Sequence, residues 1–212
     1  MLVFQKSQPS NLNELAVLHQ ACFPDSLSRQ LGKKYARKTL QWFLSDANRF
    51  LLHVKNDGKI VGYVGGFISQ YPGDGSTSGM LRYAMGAAVT GVALKPWMVF
   101  NKQIRQMYPL IFKNMYRKIN PEKKIVSAVK KYNDEEKKAG LVVIGVDPQF
   151  RGKGVFDMLM HAFEDESKSR KITKMALSVK PTNARAIAAY QKTGWQKEKE
   201  TDTSVDMYKI VV

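Results

Sequence analysis

Leu141-Val142-Val143-Ile144-Gly145-Val146 runs directly into Asp147-Pro148-Gln149-Phe150-Arg151-Gly152-Lys153-Gly154, after which Val155, Leu159, Ala162 and Phe163 recur at helical spacing. Six apolar residues without alternation predict a central strand covered on both faces. The whole stretch therefore reads as strand, glycine-bearing turn and helix. Glycine at 152 and 154 lets the main chain bend tightly with its N–H groups turned toward one point, where the positive end of the helix dipole adds to them. A phosphate suits that point. The side chains of Arg151 and Lys153 either bring charge beside it or are solvated surface residues. Such turns also serve packing and other phosphate ligands. Two patterns are excluded: no Gly-Lys-Ser/Thr follows a correctly spaced first glycine, and Gly-x-Gly-x-x-Gly is absent.

Toward the N-terminus, residues 2 to 6 predict an opening strand, and Ser10 to Glu14 start a helix that Cys22-Phe23-Pro24 ends. A second helix is expected over Lys33 to Leu44. Two β-rich runs follow, Arg49 to Val54 and Lys59 to Ser69, joined by Asn56-Asp57-Gly58, a strong hairpin signal because positive φ suits glycine. From residue 70 to 138 the pattern changes to a Gly/Ser-rich opening and then helical, Met- and aromatic-bearing, basic sequence. We read this as a helical insertion before the central strand. Between Ser76 and Lys138 there are 13 Lys and Arg against 4 Asp and Glu, so more than half of the net charge of +16 sits there.

Toward the C-terminus, a helix over about Gly154 to Ser169, a strand over Lys174 to Val179, a helix over Asn183 to Thr193 and two last strands complete an alternating α/β order. With 212 residues and 44% hydrophobic content, residues 1 to 212 form one α/β domain with an insertion. The single Cys22 excludes an intramolecular disulfide framework and a cysteine zinc cluster, and no metal site is expected. The opening Met1 to Lys6 reads as a strand and not a signal peptide, which points to the cytoplasm. The uncharged stretch Tyr83 to Leu94 is far short of the roughly 20 residues that cross a bilayer.

The second informative segment is Asn183-Ala184-Arg185-Ala186-Ile187-Ala188-Ala189-Tyr190-Gln191-Lys192-Thr193-Gly194-Trp195. Thr182 and Asn183 are candidate caps, Ala186 and Tyr190 share a face, and Gly194 suits a C-terminal exit. Alone, it is an ordinary amphipathic helix.

Together the two segments resemble the GNAT superfamily of N-acetyltransferases, closely over Ala139 to Trp195 and loosely before it. The family's Val-x-Pro-x-x-Arg-Gly-x-Gly appears as Val146, Pro148, Arg151, Gly152 and Gly154. Its Asn-x-x-Ala-x-x-x-Tyr-x-x-x-Gly-Phe appears as Asn183, Ala186, Tyr190, Gly194 and Trp195. Phe156 stands where the phosphate signature usually has Gly or Ala; it can still offer its N–H, provided its ring turns away. The resemblance implies a mixed central sheet flanked by helices and direct transfer of acetyl from acetyl-CoA to an uncharged primary amine. It implies that Ile144, Gly145 and Val146 line the pantetheine, that Arg151, Gly152, Lys153, Gly154, Val155 and Phe156 hold the pyrophosphate, and that Asn183 touches the pantetheine arm. Tyr190 would protonate the leaving thiolate, since a phenol with pKa near about 10 keeps its proton at neutral pH.

Family members often carry a Glu in or near the central strand, but Leu141 to Val146 has no ionisable group. Asp147, Glu135, Glu136, His53 or a water chain are left as general base; His19 and His161 read as structural. The resemblance puts Phe23 to Gly32 and the insertion beside the acceptor. Their positive charge favours an anionic small-molecule amine, such as a nucleotide-linked amino sugar, over polyamines. Other readings stay open: Trp97 to Phe112 as a membrane-surface helix or dimer contact, RNA association from charge alone, and a non-catalytic acyl-CoA-binding module.

Overall fold

The computed structural model describes residues 1–69, 77–101, 104–105 and 137–211. Seven strands form one sheet: β1 (Leu2–Lys6), β2 (Arg49–Asn56), β3 (Lys59–Ile68), β4 (Lys138–Val146), β5 (Lys174–Val179), β6 (Gln196–Glu200) and β7 (Val205–Ile210), in the order β1-β2-β3-β4-β5-β7-β6. Neighbours are antiparallel except β4 and β5, which run parallel. The expected mixed sheet is present. So is the hairpin: Asp57 (φ 47°) and Gly58 (φ 82°) are both left-handed between paired Asn56 and Lys59, the geometry in which turn twist matches strand twist.

The alternation of β2 places its residues on two cores. Phe50, Leu52 and Val54 face α6 (Val155–Ser169), whose Val155, Leu159 and Phe163 are fully buried against them. Leu51 faces α1 (Leu12–Cys22) and α3 (Lys33–Gln41), where Leu12, Leu15, Leu40, Trp42 and Phe43 close a second core. The sheet is thus a middle layer between helices, with the short α2 (Leu27–Gln30) joining α1 to α3. Each fully buried large apolar side chain contributes about 1.5–3 kcal/mol, which is why both faces of the central strands read as apolar.

Of the insertion, the structure describes α4 (Thr77–Tyr83), α5 (Met85–Ala93) and a single turn at Pro96–Phe100. They sit on α3 through a small third cluster in which Ala84, Ala87 and Met98 meet Leu31 and Tyr35. Residues 77–83 and 85–93 are helical, while most of Trp97 to Phe112, with Glu135 and Glu136, lies outside the described residues. One boundary moves: β4 begins at Lys138, so the last residue assigned to the insertion belongs to the strand.

Two irregularities open the sheet at its centre. The β4–β5 ladder pairs only Lys138–Leu141 with Lys174–Leu177, so Val142–Val146 continue beyond the last rung. On its other side, β4 carries one extra residue: Gly66 pairs with Leu141 and Gly65 with Val143, leaving Val142 as a bulge. A bulge bends and twists its strand, and it leaves both Val142 and Val143 packed toward the α1 layer. The α7 helix (Ala184–Lys192) follows β5 and covers the α6 side of the opening.

Candidate active site

The opening between β4 and β5 is a cavity of about 710 Å³. Its floor is the main chain of Leu141 to Val146, one wall is the turn before α6, the other is α7, and Cys22 and Phe23 close the α1 side. Both sequence segments therefore contribute to one cleft.

The turn is built as its glycines predict. Gly152 and Gly154 have φ of 77° and 79°, in the left-handed region that costs other residues about 1–2 kcal/mol. Asp147 starts it by accepting the Gln149 N–H (3.0 Å), and Gly154 is the N-cap of the 15-residue α6. The first-turn N–H groups of that helix have no partner within it, so they and the dipole offer an anion site. On α7, Asn183 is the N-cap, its side chain accepting the Ala186 N–H (3.3 Å).

Ile144, Gly145, Val146, Arg151, Gly152, Gly154, Phe156, Asn183 and Tyr190 all line the cavity. Two of the expected cofactor residues do not. Val155 is 0% exposed in the α6 core, so only its main chain can serve a ligand. Lys153 turns its ammonium over the Phe150 ring, 5.2 Å from its centre. Phe156 also departs from expectation: its ring does not leave the site but packs on Tyr190 at 5.8 Å, joining the two walls.

Tyr190 is 6% exposed, held between Phe156 and Trp195, whose ring centre lies 6.0 Å away. Burial pushes its phenol up to about 12, because the phenolate would lose its solvation. Its hydroxyl has no hydrogen-bond partner among the described residues. That combination keeps a proton on the oxygen and leaves it free to be donated into the cleft.

The proposed bases fare differently. His53 is 1% exposed, facing away from the cleft beside Ser7, whose Oγ is 2.9 Å from its Nδ1. His161, read from the sequence as structural and not as a base, is exposed on α6. Asp147 stands just past β4 but is engaged by Gln149 N–H and by Lys59 Nζ at 3.5 Å. Sequence reasoning missed a pair: Tyr63 on β3 and His19 on α1 are hydrogen-bonded on the α1 side. Tyr63 fills the space that a side chain at 145 would need, since a Cβ on Gly145 would lie 2.6 Å from Tyr63 Cε1. Only the apposition of Gly145 with Tyr63 in the β3–β4 ladder reveals this, and the linear sequence carries no sign of it. Burial pulls His19 down to about 4, so its imidazole is neutral at physiological pH. Among the described residues, no group of three or more His, Cys, Asp or Glu could hold a metal.

Comparison with known proteins agrees with this geometry. Residues 115–195 match the model of the Acetyltransferase (GNAT) family. Over 59 residues the chain is 37% identical to the [Ribosomal protein bS18]-alanine N-acetyltransferase of Salmonella typhimurium; the match takes in 28% of this chain and 40% of that relative's length. The fold is shared with the ribosomal-protein-S18-alanine N-acetyltransferase of Escherichia coli (TM-score 0.55, 13% identity, 100% of this chain and 94% of that one). It is shared with the PaiA N-acetyltransferase of Thermoplasma acidophilum in complex with coenzyme A (TM-score 0.56, 12% identity, 100% and 99%). The fold is also that of AAC(6')-Iy in complex with the bisubstrate analog CoA-S-monomethyl-acetylneamine (TM-score 0.59, 13% identity, 95% of each chain). Residues 115–195 therefore resemble the Acetyltransferase (GNAT) family, and the fold is the one seen in these N-acetyltransferase structures.

Proposed function

We propose that this chain transfers an acetyl group from acetyl-CoA, the donor used by its family, to a primary amine. The observation that carries this reading is the convergence of the Gly152/Gly154 turn and the Tyr190 hydroxyl on one cleft over the unpaired half of β4. The residues present fit the donor: a positive-φ turn capping a long helix for its diphosphate, and free strand peptide groups beside an elongated cavity for its amide-bearing arm.

When bound, acetyl-CoA supplies a thioester whose carbonyl carbon takes the amine nitrogen while its carbon–sulfur bond breaks. In this reading, the turn and the first amides of α6 hold the diphosphate, with Arg151 adding charge. The main chain of Ile144 to Val146 and the amide of Asn183 orient the arm. Tyr190 gives its hydroxyl proton to the departing sulfur. The proton that leaves the amine passes to water in the cleft, because the floor, Leu141 to Val146, carries no carboxylate.

The acceptor we favour is an anionic amine such as a nucleotide-linked amino sugar. A net charge of +16 attracts anions and repels polyamines. The described α1-side wall, formed by Cys22 and Phe23 facing Val142 and Val143, brings no carboxylate to hold a polycation. We place the reaction in the cytoplasm, where a ribosomal-protein modifier such as the Salmonella typhimurium relative meets its substrate. The test is release of free thiol from acetyl-CoA with a panel of amines. Turnover with nucleotide amino sugars and little with spermidine supports the acceptor class, whereas the reverse order removes it. No thiol release with any amine, together with calorimetric binding of acetyl-CoA, would leave a binding module in place of an enzyme.

A further inference from the structure

We propose that the outer face of α5 and the turn that follows it form a docking surface for an anionic lipid bilayer, seating the chain on a membrane without crossing it.

This face stands apart from the acetyl-CoA reading, because no described residue of 77–105 lines the donor cleft. Its helix has an uncommon composition. The nine residues of α5, Met85-Gly86-Ala87-Ala88-Val89-Thr90-Gly91-Val92-Ala93, include no charged side chain. A helix that is apolar all round is covered on every side or borders a medium other than water. One side of α5 is covered: Ala87 meets Leu31 and Tyr35, and a Cβ on Gly91 would lie 2.8 Å from the Leu31 carbonyl oxygen. Gly86, Val89, Thr90 and Ala93, spaced i, i+3, i+4 and i+7, form the other side and are exposed. The one hydroxyl among them is turned back on the helix, since Thr90 Oγ1 donates to the carbonyls of Gly86 (2.9 Å) and Ala87 (3.0 Å). The outer side of α5 therefore offers water no free polar side chain.

The apolar surface continues past the helix. Among the described residues ten large apolar side chains are exposed, and five of them, Tyr83, Val89, Leu94, Trp97 and Phe100, lie between positions 83 and 100. Trp97 is 66% and Phe100 81% exposed, which forgoes burial in water. A bilayer surface suits them, because an indole brings a large apolar ring with one N–H for the headgroup level.

Charge selects the occupant. Residues 26–45, which hold α2 and α3 next to α5, and residues 77–105 together carry nine Lys and Arg and no Asp or Glu. Lys33, Lys34, Arg82 and Arg105 are exposed, and Lys38 Nζ lies 5.9 Å from the centre of the Tyr83 ring, where the cations meet the apolar surface. Apolar side chains flanked by cations of one sign match negatively charged headgroups over acyl chains. A second copy is the poorer occupant, since a twofold interface would set the same cations against their own images. RNA would answer the cations and leave Val89 and Leu94 in water.

The experiment is co-sedimentation of the full chain with vesicles of phosphatidylcholine alone and of equal parts phosphatidylcholine and phosphatidylglycerol, read together with tryptophan emission. Trp42 and Trp195 are each 2% exposed, so Trp97 is the indole that a bilayer can reach. We expect binding to the anionic vesicles with a blue shift of emission, weakening in high salt, and little binding to phosphatidylcholine alone. Trp97→Ala/Phe100→Ala changes two exposed positions, so the fold is kept, and binding should weaken by about tenfold or more. No sedimentation of wild type with anionic vesicles overturns the proposal, whether the chain stays monomeric or pairs with a second copy. Equal binding to both vesicle types overturns the choice of an anionic bilayer. Binding without a blue shift, or binding that the double variant leaves unchanged, also overturns the proposal and reduces the face to a polyanion surface such as RNA would use. Calorimetry with acetyl-CoA reads the donor site separately, so none of these results decides that reading.

Discussion

In the acetyl-transfer reading proposed above, Tyr190 is the residue on which the chemistry turns. Its neighbours hold the ring and its hydroxyl is left for the cleft, so Tyr190→Phe removes a proton and little else. We expect kcat to fall by about a hundredfold or more, within the range for loss of a general acid, while binding of acetyl-CoA changes little. Because burial holds the phenol near about 12, an alkaline loss of rate set by this group should lie above pH 11 in the wild type. A steady-state profile with a limb near pH 10 that vanishes in the Phe variant would contradict that. The two turn glycines were legible in the sequence from the strand, turn and helix around them, whereas Tyr190 was singled out only by the resemblance of its segment to the GNAT pattern. Phe156 was only half legible: its place in the turn could be read, but its packing on Tyr190 depends on how α6 and α7 approach each other.

At the scale of elements, strands and helices were readable wherever periodicity met punctuation, as at Asp57-Gly58, Gly154 and Gly194. What escaped were features made by pairing. The bulge at Val142 and the short β4–β5 ladder have no signature in Leu141 to Val146 taken alone, because they reflect what the neighbouring strands offer. The tie between α6 and α7 escaped for the same reason. Lys209 on β7 pairs with Glu164 on α6 and donates to the Thr193 carbonyl (2.8 Å) at the end of α7. Contacts between residues 16 and 45 apart in sequence thus fix the angle between the two walls of the cleft. Lys209→Met keeps the stem but strands the Glu164 carboxylate and one helix-end carbonyl. The expected cost is about 1–3 kcal/mol, read as a lower urea midpoint at unchanged slope. A variant as stable as wild type would show that the walls are set by packing alone.

For the whole molecule, the buried histidines set the acid limit of the fold. Burial pulls His19 and His53 down to about 4 from an ordinary value near 6.5. Between those values the unfolded chain binds protons that the native chain refuses, so stability is full above pH 6.5 and drains as pH falls toward 4. Denaturant midpoints across that window should decline, and His53→Gln should flatten part of the decline. A midpoint constant from pH 7 to 4 would refute the assignment. The charge of +16 acts at the same scale, but it reports on partners and not on fold.

The parted strands at the centre of the sheet carry a thermodynamic consequence. From Val142 onward, β4 has peptide groups on its β5 side that no rung of the ladder satisfies, and water must serve them when the groove is vacant. A guest bearing amides along its length can act as a surrogate strand and mend the seam, so its occupancy couples to the global unfolding equilibrium. At a thousandfold excess over its dissociation constant, such a guest adds about 4 kcal/mol. Hydrogen exchange should then slow at residues 142 to 146 ahead of any change in the outer strands β1 and β6.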